Sequence, residues 1–289
     1  MNKKIFILPL FFVFSSFLLL SCYEKQYSPT KGEVQAASDE SLFRLAEEAK
    51  TEFEKTYVQA KVNMTQLAAR EGIPQLFEGK IKIYLCGRGF NEEELAYIEK
   101  AKKKDEIQQF KFCYDAIVLA VQKSDKRENI SMKEVKDMLN GADRSYKIFM
   151  PPFISSTYEY IKSAILGGKD PANVKLMESE KAVLEQVKKT PNSMGLVALN
   201  VIADSSDFKF LKVASEETSP GGPEYFEPHK GFLVNGSYPM SKLCFIFTNE
   251  IVTGVGGGFA TFLTGNDGQR LVLKQNLGPA TVPVRLKQK

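Results

Sequence analysis

"FKFCYDAIVLAV", residues 110–121, is the stretch on which the fold turns. Its long apolar run is that of a buried strand. One residue breaks it. Asp115 is costly to bury without a partner. It either pairs with a neighbouring backbone group or Arg, or accepts a proton from a hydroxyl or a protonated ligand oxygen. On either side, strands and helices alternate. "GKIKIYLCG" (79–87), "SYKIFM" (145–150), "SMGLVAL" (193–199) and "KLCFIF" (242–247) read as strands. "SDESLFRLAEEAKTEFEKTY" (38–57) carries a helical stripe of Leu42, Leu45, Ala46, Ala49 and Phe53, with Ser38, Asp39 and Ser41 at its start. "NEEELAYIEKAKKK" (91–104) and "SMKEVKDMLNG" (131–141) open on capping boxes, Asn91 with Glu94 and Ser131 with Glu134. "SEKAVLEQVKK" (179–189), "FATFL" (259–263) and "GQRLVLKQ" (268–275) also read as helices, and "TVPVRL" (281–286) closes the chain. This alternation predicts an α/β fold with mainly parallel sheets. Residues 205–237, rich in Pro, Gly and Ser, read as surface loops with one strand at "FLKVA".

The N-terminus reads separately. Residues 1–21 have a positive tip and a short apolar run, the pattern of a secretory signal. They end at Leu19-Leu20-Ser21-Cys22, which looks like a bacterial lipobox; lipid on Cys22 would hold the body at a membrane surface. Residues 22–34 read as a polar tether. Lys3 and Lys4 fall in the signal, so the body carries two fewer basic residues than the chain's 39, against 35 acidic ones. With no basic block, nucleic acid is not an expected partner. Composition is that of a folded protein, 43% apolar and 26% charged.

Catalytic patterns are missing. His229 lies in "EPHKG" without a nucleophile elbow. "GVGGGF" (254–259) lacks the pattern of a P-loop and reads as a flexible turn. Cys86, Cys113 and Cys244 sit in apolar runs with no metal-ligand spacing and read as buried free thiols. No cofactor, metal or enzyme activity is expected.

What recurs is a hydroxyl where a strand turns into a helix. Ser41 stands at the first helix start, and Thr65 lies in "VNMTQLAAREG" (62–72). "PPFISSTYEYIKSAIL" (151–166) opens a helix on Ser155, Ser156 and Thr157, more hydroxyls than one cap needs. Helix starts favour an anion, and open α/β sheets gather ligands outside their strand ends. Arg88, just after a strand, has the fork to hold an oxyanion. Each residue has a plainer alternative: a structural cap for the hydroxyls, a surface ion pair for Arg88.

Seven segments in order carry a resemblance: "SDESLFRLAEEAKTEFEKTY", "GKIKIYLCGRGFNEEEL", "FCYDAIVLAVQKSD", "ISMKEVKDMLNG", "FISSTYEYIKSAILGG", "PNSMGLVAL" and "GSYPMSKLCFIF". From about residue 35 onward the chain resembles the substrate-binding lipoproteins of phosphate ABC transporters (PstS-like), especially divergent relatives in Bacteroidetes. The resemblance implies a two-lobed periplasmic-binding-protein fold (type II, venus-flytrap), with two mixed sheets and a hinge of crossing strands. It places lobe I at 35–116 plus 240–289 and lobe II at 117–239, with crossings near Asp115–Val118 and Tyr238–Pro239. It implies an oxyanion held by Ser41, Arg88, Asp115, Ser155, Ser156 and Thr157. It further implies an ABC permease partner, a monomer, a palmitate-bearing lipid anchor, and a place in the cell envelope facing the periplasm or exterior. Where the family commonly carries an Asp that accepts the ligand's proton, this chain reads "KIKIYLCGRGF" with Lys82. The expected function is capture of an oxyanion, phosphate first. The alternative is a sensor or surface-interaction lipoprotein with an altered or lost site.

Overall fold

The computed structural model describes residues 28–202, 207–215, 222–250 and 254–281. The expected signal, Cys22, the first part of the tether and nearly all of "TVPVRL" lie outside the described residues. The backbone of the fold is β4, Gln108–Gln122, which runs through two sheets. Its first part pairs antiparallel with β12, Ser241–Thr248, from Gln108↔Thr248 to Ala116↔Ser241. Its second part pairs antiparallel with β8, Ser193–Ala198, from Ile117 to Ala120. The first sheet continues from β12 to β3 (Ile83–Cys86), β1 (Lys31–Ser38) and β2 (Gln59–Gln66). The second continues from β8 to β6 (Lys147–Met150) and β7 (Lys175–Leu176). Parallel and antiparallel pairs mix in both halves, as the two-lobed fold requires.

The buried apolar residues divide at the same place. One cluster draws on residues between Ala116 and Met240; two others draw on residues between Val34 and Ile107 or Cys113, joined by residues from Cys244 onward. Beside β4 the chain returns at Tyr238–Met240. There Ile117 donates its N–H to Met240 O (2.9 Å), and the Tyr238 hydroxyl donates to Ile117 O (3.0 Å).

Local chemistry sets the helices. α1, Glu40–Thr56, buries Leu42, Leu45, Ala46, Ala49 and Phe53, the stripe legible in the sequence. α2 spans Ala69–Phe77, and α3, Glu92–Lys100, starts on the Asn91–Glu94 capping box. α4, Met132–Leu139, starts on the Ser131–Glu134 box. α5, Ser156–Tyr160, runs on into a π-helical turn at Ile161–Ile165. α6 is Glu180–Lys189, capped by Ser179.

Four readings change. Residues 31–34, expected in the tether, are the start of β1, in register with Gln59–Val62 of β2. Thr65 lies within β2 and is exposed, so it opens no helix. The expected loop region holds β9 (Phe208–Phe210), β10 (Lys212–Ala214), β11 (Tyr225–Phe226) and the short α7 (Lys230–Val234). His229 caps α7, its Nδ1 accepting from Gly231 N at 3.2 Å. The glycine run expected as a turn lies largely in α8, Val255–Thr264, which precedes α9 (Asn266–Lys274) and β13 (Gly278–Pro279).

The glycines of α8 serve close approach. A Cβ on Gly258 would sit 2.7 Å from the Pro29 carbonyl carbon and 2.9 Å from its Cα. Backbone cannot swing aside as a side-chain tip can. Gly258→Ala is therefore expected to lower stability by about 1–3 kcal/mol, the usual cost of overpacking. Ala's better helix propensity, worth about 1 kcal/mol, acts the other way. Urea unfolding of the two proteins measures the difference; an alanine variant as stable as the parent would contradict this packing.

Candidate functional site

The site forms where β1 and β3 end and the second lobe's α5 begins. Asp39, between β1 and α1, ties the turns together. Its Oδ1 accepts from Leu42 N (3.1 Å) as a helix cap and from Ser41 Oγ (2.7 Å), and its Oδ2 accepts from Gly87 N (2.7 Å), just past β3. This fixes Ser41 and Gly87 side by side.

The geometry around Gly87 defines a small cradle. The position a Cβ would take is closest to Lys242 Nζ, 2.6 Å from Ser41 Oγ and 2.7 Å from Ser156 Oγ. Three polar tips thus converge on Gly87, so closely that only glycine, with no Cβ, fits there. Ser41 follows β1 of the first sheet, Ser156 follows β6 of the second, and Lys242 lies on β12 of the first, beside the point where β4 leaves it. All three are buried.

Lys242 lies opposite Asp115 in the β4–β12 register, with Nζ 3.5 Å from Oδ2. Both side chains are wholly buried. Asp115 Oδ1 accepts from Ala116 N (2.8 Å) and Asn200 N (3.3 Å). Lys242 Nζ and Asp115 Oδ2 have no hydrogen-bond partner among the described residues. Burial pushes the lysine's pKa down, but the charge of Asp115 above all, with Asp39 behind it, more than reverses this, so its pKa is raised. Burial raises the Asp115 carboxyl against the pull of Lys242.

The other expected residues surround this cradle in different roles. Ser155 caps α5, accepting from Tyr158 N at 3.1 Å. Thr157 donates its hydroxyl to Glu180 Oε1 at 2.8 Å. The guanidinium of Arg88 is engaged by protein: Nε donates to Glu159 Oε2 (2.5 Å), Nη1 to Gly89 O and Glu94 Oε2 (both 2.7 Å), and Nη2 to Glu94 Oε1 (2.8 Å). Glu94 is the capping-box acid of α3, so one carboxylate serves the helix start and the guanidinium together. Lys82, just before β3 and exposed, lies at the opposite end of that strand from Gly87. Cys86, Cys113 and Cys244 are buried free thiols.

The lobes also touch directly. Glu159 of α5 accepts from Arg88 and, through Oε1, from Arg70 Nε of α2 (2.8 Å). Glu40 of α1 accepts from the first amides of α6, Glu180 N (2.8 Å) and Lys181 N (3.1 Å). Asn200 Nδ2 donates to Ser41 O at 2.8 Å. Sequence reading did not single out Lys242, Gly87, Glu159 or Glu180. For Lys242 a signal existed: strand alternation places it on one face with Cys244 and Ile246, all buried.

The arrangement defines a class: two α/β lobes on crossing strands, with hydroxyls from both lobes and a buried ammonium meeting between them. It is the layout of a protein that closes on a small polar solute. The sequence profile of the PBP superfamily domain matches residues 24–267, and the chain belongs to that family. It is 20% identical over 233 residues to the phosphate-binding protein PstS of Staphylococcus epidermidis, covering 76% of this chain and 70% of that one. It is 21% identical over 237 residues to PstS of Staphylococcus aureus, with 77% and 70% covered. In structure it is similar to a Clostridium perfringens protein described as a phosphate ABC transporter substrate-binding protein with bound phosphate. That match has a TM-score of 0.74 and 18% identity, and covers 86% of this chain and all of that one.

Glu180, whose carboxyl accepts from Thr157 and Ala198 N, gives a pH test of its burial beside Glu40. Burial, with Glu40 nearby, pushes its pKa up from 4.5 to about 8, although Lys242, Ala198 N and Thr157 pull it down. Between these two values the folded protein holds a proton that the unfolded chain has released. This contribution to stability is full below pH 4.5 and is lost as pH rises through about 8. Glu180→Gln cannot titrate. Its thermal midpoint is expected to fall less than the parent's between pH 5 and 8. The difference in stability reaches a few kcal/mol, because each tenfold change in proton affinity is worth about 1.4 kcal/mol. Parallel curves would contradict a buried, protonated Glu180.

Proposed function

We propose that this protein is an extracytoplasmic solute-binding protein that captures an oxyanion, phosphate first, between its lobes and delivers it to an ABC permease. The observation that carries this reading is the meeting of Ser41 and Ser156, one hydroxyl from each lobe, with the Lys242 ammonium over Gly87. Each group donates a hydrogen bond, and a ligand bridging both lobes would favour closure over opening. The relatives named for phosphate binding support phosphate as the ligand and a permease as the partner. The lobe boundaries we favour are 31–116 with 240–289 and 117–239: the expected start at 35 moves back to the first residue of β1, and the division at 116/117 is suggested by the change of β4's partner from β12 to β8. Lipid on Cys22 would tether a monomer to the membrane, facing the periplasm or the exterior.

The alternative, a sensor or surface-interaction lipoprotein with an altered site, draws on one observation. Arg88, the residue expected to grip the anion, grips Glu94 and Glu159 instead.

Calorimetric titration of the full-length protein in mild detergent tests the first reading against phosphate, sulfate and a phosphate ester. Phosphate is expected to bind at micromolar concentration or tighter. Ser41→Ala/Ser156→Ala is expected to weaken it about 100-fold or more, since a hydrogen bond to a charged group contributes about 1.5–3 kcal/mol. No heat with any anion, from a protein that melts cooperatively, would overturn the reading and favour the alternative.

A further inference from the structure

Two cations stand near the cradle, and the structure gives them different tasks. Arg88 makes four hydrogen bonds, three to Glu159 and Glu94 and one to Gly89 O. Its planar fork, suited to a bidentate grip on an anion, already grips a carboxylate bidentately. Its partner Glu159 comes from the second lobe and also holds Arg70. Arg88 is therefore a strut between lobes.

Lys242 is the reverse case. It is wholly buried, and its only ion pair among the described residues, with Asp115, is at 3.5 Å, too long for a strong charged hydrogen bond. No hydrogen bond among the described residues engages its Nζ. A buried ammonium without hydrogen bonds is costly, because Coulomb attraction to one partner does not replace lost water. The same Nζ, together with Ser41 Oγ and Ser156 Oγ, closes on the side of Gly87 where a Cβ would stand. An acceptor oxygen brought to this ammonium beside the two hydroxyls would satisfy it.

We propose that Lys242, not Arg88, is the cationic ligand-binding residue, donating directly to an oxygen of the bound oxyanion, with Asp115 as the positioning residue that holds it. This rests on the oxyanion-binding reading and assigns its charged contact. A lysine is a compact point charge on a flexible stem. The site would therefore recognise one oxygen surrounded by donors. Because Lys242 lies at the start of β12, next to the point where β4 leaves the first sheet, the ligand would bind close to the crossing as well as to both helix starts.

The test uses the full-length protein in mild detergent with inorganic phosphate as the probe. Lys242→Met/Asp115→Asn removes both buried charges, leaving neither one unpaired. This variant is expected to melt cooperatively and to bind phosphate at least 100-fold more weakly than the parent. Arg88→Gln is expected to weaken binding by tenfold or less, through looser closure. In the parent, labelled with 15N-lysine, saturating phosphate is expected to shift the Lys242 Nζ resonance and to show a 31P–15N coupling across the hydrogen bond. This second measurement needs no variant and stands if the double variant fails to fold. A folded double variant within threefold of the parent, or a saturated parent with an unmoved Lys242 resonance, would overturn the assignment alone. A parent that takes up no phosphate, sulfate or phosphate ester would overturn the oxyanion reading and the assignment with it.

Discussion

Lys242 and Asp115 face each other, out of reach of water, where β4 passes from one sheet to the next. Neither charge could sit there alone, since an unpaired buried ion costs several kcal/mol. Their pairing matches the register of β4 and β12 at that level. It also leaves a buried ammonium that no hydrogen bond among the described residues engages. The turn at Gly87, the helix starts at Ser41 and Ser156, and the Asp39 bridge between the first two are arranged around that ammonium. A larger residue at position 87 would fill the point where they meet.

The interlobe contacts obey the same rule, that buried polar groups find partners. Glu159 holds two arginines of the first lobe, and Glu40 takes the orphan amides at the start of α6. These are carboxylates placed where an anion would be stable. They form a network of protein charges, beside which the Lys242 Nζ stands without a hydrogen bond among the described residues.

Much of the fold was legible because its elements carry strong local signals. The α1 stripe, the capping boxes of α3 and α4, and the apolar β4 all formed where the pattern placed them. α8 did not read as a helix. Its glycines are poor helix formers by themselves, and only close neighbours brought by the fold account for two of them, the backbone of Pro29 at Gly258 and the side chains of Glu250 and Val34 at Gly256. Of the site, Ser41, Ser156 and Asp115 were visible as hydroxyls at helix starts and as an acid in an apolar run. Lys242 was not, because a lysine at the edge of an apolar segment usually points to water. Its partner Asp115 lies far away in sequence, and only the strand register brings them together. Arg88 looked free because its partners, Glu94 and Glu159, are joined to it only by the turn after β3 and by the meeting of the lobes.

The most direct measurement is a crystal structure grown with arsenate, a phosphate mimic whose heavy atom is located by anomalous scattering. One arsenic peak is expected over Gly87, with an arsenate oxygen bonded to Lys242 Nζ, Ser41 Oγ and Ser156 Oγ. An arsenate bound to Arg88, or anywhere else, with Lys242 still facing Asp115 alone, would contradict Lys242 as the cation that holds the ligand.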